Sequence, residues 1–335
     1  MKLRFLLPLV LLSACSAAEE EWKLHTFEEP HMGTLYRVMS YTREGTVEDL
    51  TLLTEKAFDR VEELNSIFSD YLPESELNDL ARAPVNEPIP VSEDLYRILD
   101  RAKLLTEETG GAFDVTAGPL IRLWRMAKKN QKLPSPDQLT RAKARTGAHL
   151  IELDPVARTV TKRAEGMLFD LGGIAKGYAA DEALKILREG GFPSSLVAAS
   201  GDIVVGDPPP GKKGWRIGIE TLEVGVDLSE LETVTLVNQA ISTSADTRQF
   251  LELDGKRYSH IVSTKTGLGL TERVGASVIA ADATTTDSHA TALTLLGAGE
   301  GLKWIEGKEN VEARILFLKD GEQTEKRTSG FPETR

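Results

Sequence analysis

Two different spacings of apolar residues alternate irregularly along the chain, and this mixture constrains the fold more than any other feature. Between Thr46 and Phe68, apolar residues recur at steps of three or four, which predicts a long amphipathic helix. Polar caps and glycine pairs delimit the other expected helices. One runs from Ser92 to Gly110-Gly111, and a second covers SPDQLTRAKAR from Ser135. A third runs from the turn of Lys176 to Gly190-Gly191.

Short runs rich in apolar and β-branched residues predict strands between these helices. The expected strands are His149–Leu153, Arg158–Lys162, Met167–Phe169, Leu196–Val205, Trp215–Ile219, Thr233–Val237, Ala240–Thr243, Arg257–Val262, Gly275–Ala281 and Val311–Leu318. They do not alternate with helices one by one, as a doubly wound parallel sheet requires. The sequence therefore predicts an α+β fold. No stretch reads as a linker between independent domains, so residues 30–335 are expected to form a single domain.

The first residues have the pattern of an export signal. Lys2 and Arg4 precede an apolar run that is too short to span a bilayer as a helix, and small residues follow it. Residues 1–14 are therefore predicted to be a signal peptide. The segment Leu12–Cys15 resembles the bacterial lipobox, which predicts that Cys15 carries a lipid anchor. Residues 15–29 would then form a tether, with structure entered near Trp22.

The charge of the chain excludes one class of partner. The sequence has 52 acidic and 40 basic residues, a formal net charge of −12, and loss of Lys2 and Arg4 makes it two charges more negative. Such a surface repels nucleic acid phosphates, so no nucleic acid partner is expected. Cys15 is the single cysteine, which excludes an internal disulfide.

The stretch DLGGIAKGYAAD, which starts at Asp170, combines a carboxylate, two adjacent glycines and Lys176 where an apolar segment meets a helix. Glycines let the main chain approach a ligand closely, and helix N-termini favour phosphate. The spacing matches neither a Walker A loop nor the G-x-G-x-x-G pattern. A simple tight turn with a solvated Lys176 is the alternative interpretation.

A second cluster lies in ADATTTDSHATALTLLG, where Asp287 and Thr291 are four residues apart. On a helix both side chains project from one face, and their oxygens suit Mg²⁺. Asp287 could instead be an N-cap. His289 lies between them on another face and is not expected to be a ligand.

Other candidates are single residues. His260 is predicted to lie within a strand that ends in a glycine turn, and either catalysis or a structural role explains it. Tyr71 and Phe113 could flank a planar ring, although core packing explains them equally well.

Taken together and in their order, these motifs resemble the ApbE family of FAD:protein FMN transferases. The matching stretches are MGT at Met32, Y-x-P-x-S-E-L-N from Tyr71, GAFDVTAGPLIRLW from Gly111, DLGGIAKGYAAD, ASGDIVVGD from Ala199, AISTSAD from Ala240, SHIV at Ser259 and D-x-x-x-T-A-L at Asp287. They cover nearly all of the expected mature chain.

The resemblance implies two interlocked α/β lobes with FAD, the substrate, bound in the cleft between them. It implies Mg²⁺ as cofactor, cleavage of the FAD pyrophosphate with release of AMP, and attachment of FMN to a threonine of an acceptor through a phosphoester. Typical acceptors are subunits of sodium-pumping NADH:quinone reductase or Rnf-type complexes, and other exported flavoproteins. The implied location is the periplasmic side of the cell membrane, as a lipoprotein.

The resemblance also implies roles for matching residues. The main-chain carbonyl of Gly173 and the side chains of Asp287 and Thr291 would hold the metal ion, and His260 is hypothesised to take the threonine proton. The expected FAD-binding residues are Met32, Tyr71, Ala112, Phe113, Asp114, Asp170, Lys176 and Ile261.

One departure from the family concerns the loop after His260. Family members commonly read H-x-x-D-P-x-T-G, whereas Ser263-Thr264 replace Asp-Pro here. Two further functions stay open at this point. One is a Mg²⁺-dependent FAD pyrophosphatase that forms FMN and AMP, and the other is a non-enzymatic flavin-binding lipoprotein.

Overall fold

The computed structural model describes residues 21–222, 227, 231–245, 250–319 and 321–335. The predicted signal peptide, Cys15 and the tether up to residue 20 lie outside the described residues, as does Asp246 of the AISTSAD motif. Among the described residues, no helix combines the length and apolar character needed to cross a bilayer.

The α-helices of the described residues vary from two turns to more than six. They are α1 (Val47–Phe68), α2 (Glu76–Arg82), α3 (Glu93–Glu108), α4 (Gly118–Asn130), α5 (Pro136–Lys143), α6 (Ala175–Glu189) and α7 (Ala283–Glu306). The strands are β1 (Lys23–His31), β2 (Thr34–Thr42), β3 (Pro88–Pro90), β4 (Ile151–Asp154), β5 (Thr159–Lys162), β6 (Ser195–Ala199), β7 (Asp202–Val205), β8 (Trp215–Gly218), β9 (Thr233–Leu236), β10 (Ala240–Ala245), β11 (Phe250–Leu253), β12 (Lys256–Ser259), β13 (Val274–Ala280), β14 (Glu312–Lys319) and β15 (Glu322–Arg327).

One large sheet organises the described residues. Its eight strands follow the order β1-β2-β6-β7-β10-β13-β14-β15, and every neighbouring pair is antiparallel. The remaining strands form a three-stranded sheet, β3-β5-β4, and the pairs β8-β9 and β11-β12. A mainly antiparallel sheet with helices packed on it confirms the predicted α+β class. The division into two lobes with a cleft between them stays a prediction.

The helices that carry the predicted site pack on one face of this sheet. Side chains of β2, β6, β7 and β10, such as Val38, Val197 and Val204, form one buried cluster with α1, α3 and α6. Alternate residues of the same strands, including Leu196 and Val205, pack against the β8-β9 pair on the opposite face. Helix α7 packs on β13 and β14 through a third cluster. Helices α6 and α7 therefore lie side by side on the large sheet.

The locally encoded helices match the predictions closely. Helix α1 begins one residue after the predicted start, and α3 ends just before Gly110-Gly111. At α5, Ser135 and Gln138 form the reciprocal capping bonds that fix a helix start.

Several predicted strands are wrong or misplaced. Met167 and Phe169 are buried, but residues 167–169 pair with no strand of the described residues. The predicted strand Leu196–Val205 is the hairpin β6-β7, because Ser200, with φ of 58°, turns the chain back. Strand β12 ends at Ser259, so His260 follows the strand and does not lie within it.

The predicted start of the domain at residue 30 is also too late. All of β1 pairs with β2, from Lys23 opposite Thr42 to His31 opposite Thr34. Residues 23–29, which were assigned to the tether, are therefore part of the sheet.

Candidate functional site

The glycine corner before α6 brings three distant parts of the chain together. Asp170 accepts a hydrogen bond of 2.9 Å from the Gly172 N–H, which closes the turn. A Cβ atom at Gly173 would lie 3.0 Å from Thr291 Oγ1 and 3.3 Å from Phe113 Cε2. The main chain of Gly173 therefore lies directly against α7 and against the segment that follows α3.

Lys176 lies in the first turn of α6, as predicted, and is held by two carboxylates. Its Nζ atom lies 3.0 Å from Asp202 Oδ2 and 3.3 Å from Asp287 Oδ2. Burial opposes its charge, but the two carboxylates outweigh burial and raise the pKa of Lys176 above the ordinary lysine value. The alternative interpretation of Lys176 as a solvated residue beside a simple turn is therefore wrong.

Asp287 is buried in the second turn of α7, facing α6. Its Oδ2 atom accepts a hydrogen bond of 3.1 Å from the Gly177 N–H in addition to the contact with Lys176. Burial, together with the charge of Asp202, raises the pKa of Asp287 to about 7. The N-cap of α7 is Asp282, which accepts from the Thr285 N–H at 2.8 Å, so the alternative of Asp287 as an N-cap is wrong.

The residues predicted to hold a metal ion have suitable chemistry. In the described part of the chain, no three His, Cys, Asp or Glu side chains form a group that could hold a metal. The predicted set is of another kind, with one carboxylate from Asp287, the Thr291 hydroxyl and the main chain of Gly173. Two carboxylates, Asp202 and Asp287, face the single ammonium of Lys176, so a bound cation would stabilise the ionised form of Asp287. Hard oxygen donors and excess negative charge fit Mg²⁺.

Asp170 belongs to a second charged group beside the corner. Its Oδ2 atom accepts a hydrogen bond of 2.7 Å from Arg125, which also donates to Asp70. The Arg125 guanidinium lies 4.3 Å from the centre of the Tyr71 ring, and Tyr71 is 73% exposed. Arg125 thus fixes an exposed aromatic face next to the corner, where a planar ring could stack.

Met32 and Phe113, which are expected to bind the rings of FAD, both lie near the start of α6. The Tyr36 hydroxyl lies 3.2 Å from Met32 Sδ and 3.4 Å from the main-chain oxygen of Lys176. Phe113 is buried and contacts the corner at Gly173.

Ala112 and Asp114 have local roles in the structure. Ala112 is buried beside Phe113. The Asp114 carboxylate accepts from the Thr116 N–H at 2.8 Å and from the Ala148 N–H at 3.2 Å, which holds its own loop. The predicted contact of these two residues with a cofactor stays a prediction.

His260 and Ile261 lie on a loop that is tied to this neighbourhood. The Trp124 indole donates to the Ser259 carbonyl at 3.1 Å, and the Ile261 N–H donates to Ser259 Oγ at 3.0 Å. His260 is exposed. Thr264, one of the two residues that replace Asp-Pro, donates to the Gly111 carbonyl at 2.7 Å. This hydrogen bond ties the loop to the segment that carries Phe113.

Sequence reasoning missed four residues of the site. Asp202 lies in the quoted stretch ASGDIVVGD and pairs with Lys176. Ser244 contacts Thr291, with 3.2 Å between their hydroxyl oxygens. Arg125 and Asp70 hold Asp170 and Tyr71. The GD turn after a strand was the one signal that could have indicated Asp202.

A cavity of about 820 Å³ lies elsewhere, between α3, α6 and the start of α7. None of the predicted site residues lines it. Its lining has four basic and five acidic side chains, which gives no preference for an anionic ligand. The glycine corner therefore remains the candidate site.

Comparisons with known proteins agree with the motifs. The model of the ApbE family matches residues 32–315. An FAD:protein FMN transferase of Haemophilus influenzae is 30% identical over 326 residues, which are 94% of this chain and 93% of the relative. Another, from Vibrio cholerae, is 32% identical over 317 residues, 93% of this chain and 92% of the relative. The solved flavin transferase ApbE from Vibrio cholerae superposes with a TM-score of 0.81 at 28% identity, covering 93% of this chain and 99% of that one.

Proposed function

Because the chain belongs to the ApbE family, we propose that it is an FAD:protein FMN transferase, an enzyme that moves FMN from FAD to an acceptor protein. Relatives of that name align over more than nine tenths of the chain. The observation that carries the proposal is the meeting of Gly173, Asp287 and Thr291 at one corner, beside Lys176 and Asp170. A protein that only stored flavin would not need this arrangement.

The proposed reaction exchanges the phosphoanhydride bond of FAD for a phosphoester bond to the acceptor. The hydroxyl oxygen of an acceptor threonine attacks the phosphorus of the FMN half of FAD. The bond from that phosphorus to the bridging oxygen breaks, and AMP leaves with the bridging oxygen. The threonine proton passes to a base. Such a reaction depends on positioning and charge neutralisation more than on covalent chemistry by the protein.

Gly173, Asp287 and Thr291 would hold Mg²⁺, as proposed from the family resemblance and the donor chemistry. Bound there, the ion would neutralise negative charge on the pyrophosphate. Lys176 orients the Asp287 carboxylate from 3.3 Å, and Asp202 fixes Lys176 in turn. These contacts keep the ligand carboxylate in one orientation before substrate binds.

The flavin or adenine ring of FAD would lie against the exposed face of Tyr71. Arg125 restrains this ring from its other side and also holds Asp170 at the corner. Phe113 adds an apolar contact near Gly173. Together they would hold a planar group and a pyrophosphate group next to each other, as FAD requires.

The test of the function is a labelling experiment. Purified protein with FAD, Mg²⁺ and a threonine-bearing acceptor domain should produce a flavin-fluorescent acceptor band on a denaturing gel, together with AMP. The acceptor with threonine replaced by alanine is the control. AMP and free FMN without a labelled acceptor would show an FAD pyrophosphatase instead. Tight FAD binding without AMP release would show a flavin store.

His260 is proposed to accept the threonine proton, because it is exposed on a loop tied to Gly111 through Thr264. We expect His260→Ala to slow acceptor labelling by about 10²–10⁴-fold while FAD affinity stays unchanged. The labelling rate is measured on denaturing gels of reactions stopped at successive times, and the FAD affinity is measured by flavin fluorescence. His25→Ala, in the edge strand β1, is the control. Unchanged labelling in His260→Ala would make the residue structural.

The location of the protein is a further proposal, which rests on the lipobox-like segment that ends at Cys15. A lipid on Cys15 would hold the enzyme at the periplasmic side of the membrane, near exported flavoproteins or subunits of sodium-pumping or Rnf-type complexes. We expect Cys15→Ser to move the protein from the membrane fraction to the soluble fraction. Fractionation and the N-terminal mass check this, and continued membrane association would contradict the anchor.

A further inference from the structure

Helix α7 contacts the α6 side of the site at three levels, one helical turn apart. Residue 173 meets 291, residue 177 meets 287, and residue 181 meets 283. Each step moves four residues forward along one segment and four residues back along the other. Four residues are close to one turn of an α-helix. The three contacts therefore define a single antiparallel register, which we call the α6–α7 ladder.

The first two levels of the ladder belong to the proposed metal site. At the first, Gly173 lies against Thr291. At the second, the Gly177 N–H donates to Asp287, and a Cβ atom at Gly177 would overlap the Ala283 carbonyl. Both levels depend on the absence of a side chain on the α6 side.

The third level lies outside that site and is made by Asp181. One carboxylate oxygen accepts from the Ala283 N–H at 2.7 Å. The other accepts from the Thr284 N–H at 2.8 Å and from the Thr284 hydroxyl at 2.6 Å. Three hydrogen bonds from one side chain of α6 thus clamp the first turn of α7. Because both carboxylate oxygens accept hydrogen bonds, Asp181 fixes the position of α7 along its own axis as well as its rotation about that axis.

Asp181 is not needed to begin α7, because Asp282 already caps that helix through the Thr285 N–H at 2.8 Å. Asp282 belongs to the same strand-to-helix connection as α7, whereas Asp181 reaches it from α6. Burial raises the pKa of Asp181 to about 6, which means that the fold disfavours the ionised form of this carboxyl group.

From this geometry we infer that Asp181 is a positioning residue, which sets the register of α7 so that Asp287 and Thr291 face Gly173. This inference rests on the proposed function and adds a residue to it. A shift of α7 by a fraction of a turn would carry both ligand side chains away from the corner. Residues that orient metal ligands from outside the site typically contribute about 10–100-fold to metal affinity.

The test compares matched variants at the two acidic residues that accept hydrogen bonds from the first turn of α7, Asp181 and Asp282. Asp181→Asn removes one of the two acceptor oxygens and puts an NH₂ group where N–H donors converge. Mg²⁺ binding by calorimetry, without substrate, should weaken by at least about 10-fold. Asp282→Asn disturbs the same turn without touching α6 and should bind Mg²⁺ within about twofold of wild type.

A second pair of variants keeps the test valid if Asp181→Asn does not fold. Thr284→Val removes only the hydroxyl bond to Asp181, whereas Thr285→Val removes a hydroxyl that bonds Asp282. We expect Thr284→Val to weaken Mg²⁺ binding and Thr285→Val to leave it unchanged. The Mg²⁺ concentration for half-maximal AMP release should rise in Thr284→Val and stay unchanged in Thr285→Val.

Equal Mg²⁺ affinity in Asp181→Asn and wild type, or in the two threonine variants, would overturn the inference. An equal loss in Asp282→Asn would also overturn it, because general damage to the helix end would then explain the effect. If wild type binds Mg²⁺ but releases no AMP from FAD, the proposed function fails while the calorimetric comparison still decides the role of Asp181.

Discussion

Replacing Asp287 by alanine is expected to reduce AMP release from FAD by at least about 10³-fold. Asp287 supplies the one carboxylate of the proposed metal set and is buried against Gly177 and Lys176. Without it, two neutral oxygen donors remain, and these do not hold a divalent cation against water. The pyrophosphate then keeps its full negative charge.

Asp287→Asn separates loss of the metal from loss of the fold. The amide oxygen can still accept from the Gly177 N–H, so α6 and α7 keep their contact while the charge disappears. We expect the melting temperature of this variant to stay within a few degrees of wild type. Its AMP release should fall as far as that of Asp287→Ala.

Asp282→Ala provides the control, since this residue caps the same helix and contacts Arg101 rather than the corner. Its rate should stay close to wild type. AMP release is measured by chromatography over a range of Mg²⁺ concentrations. Undiminished release in both Asp287 variants would refute the metal assignment and leave the corner without a cation.

The helices that the sequence predicted well depend on short-range interactions. Ser135 and Gln138 complete each other's hydrogen bonds within four residues, and the apolar stripe of α1 is visible in its own spacing. The strands depended on partners far away in the sequence. Residues 167–169 are as apolar as a strand but pair with no strand in the part of the chain that the structure describes, and their pattern alone could not reveal this.

The site was predictable where its chemistry is local. Asp287 and Thr291 share a face because they are four residues apart, and Lys176 follows the glycine corner directly. Their convergence joins segments more than 100 residues apart, and the family resemblance supplied that pairing. Asp202 was missed because its contact with Lys176 follows from the position of β7 in the sheet.

The second large effect concerns Gly177, where the structure leaves no space for a side chain. An added Cβ atom would overlap the Ala283 carbonyl and lie 2.9 Å from Asp287 Cβ. The obstacle is main chain of a neighbouring helix, so no rotamer change relieves it. Gly177→Ala must push α6 and α7 apart or distort the start of α7.

We expect Gly177→Ala to lower AMP release by at least about 100-fold, because a displacement near 1 Å at a reacting site typically has an effect of that size. The free energy of unfolding should fall by about 1–3 kcal/mol, as for other overpacked interiors. Urea denaturation and the AMP assay at saturating FAD measure the two effects.

Gly299→Ala in the second half of α7 is the matched control. Nothing lies within 4 Å of the Cβ atom added there. Alanine is favoured over glycine in a helix by about 1 kcal/mol, so this variant should be at least as stable as wild type and fully active. A rate near wild type for Gly177→Ala would mean that Asp287 need not be held tightly against α6. The positions of Asp287 and Thr291 would then be set by substrate binding, and the preformed corner would lose its role in the reaction.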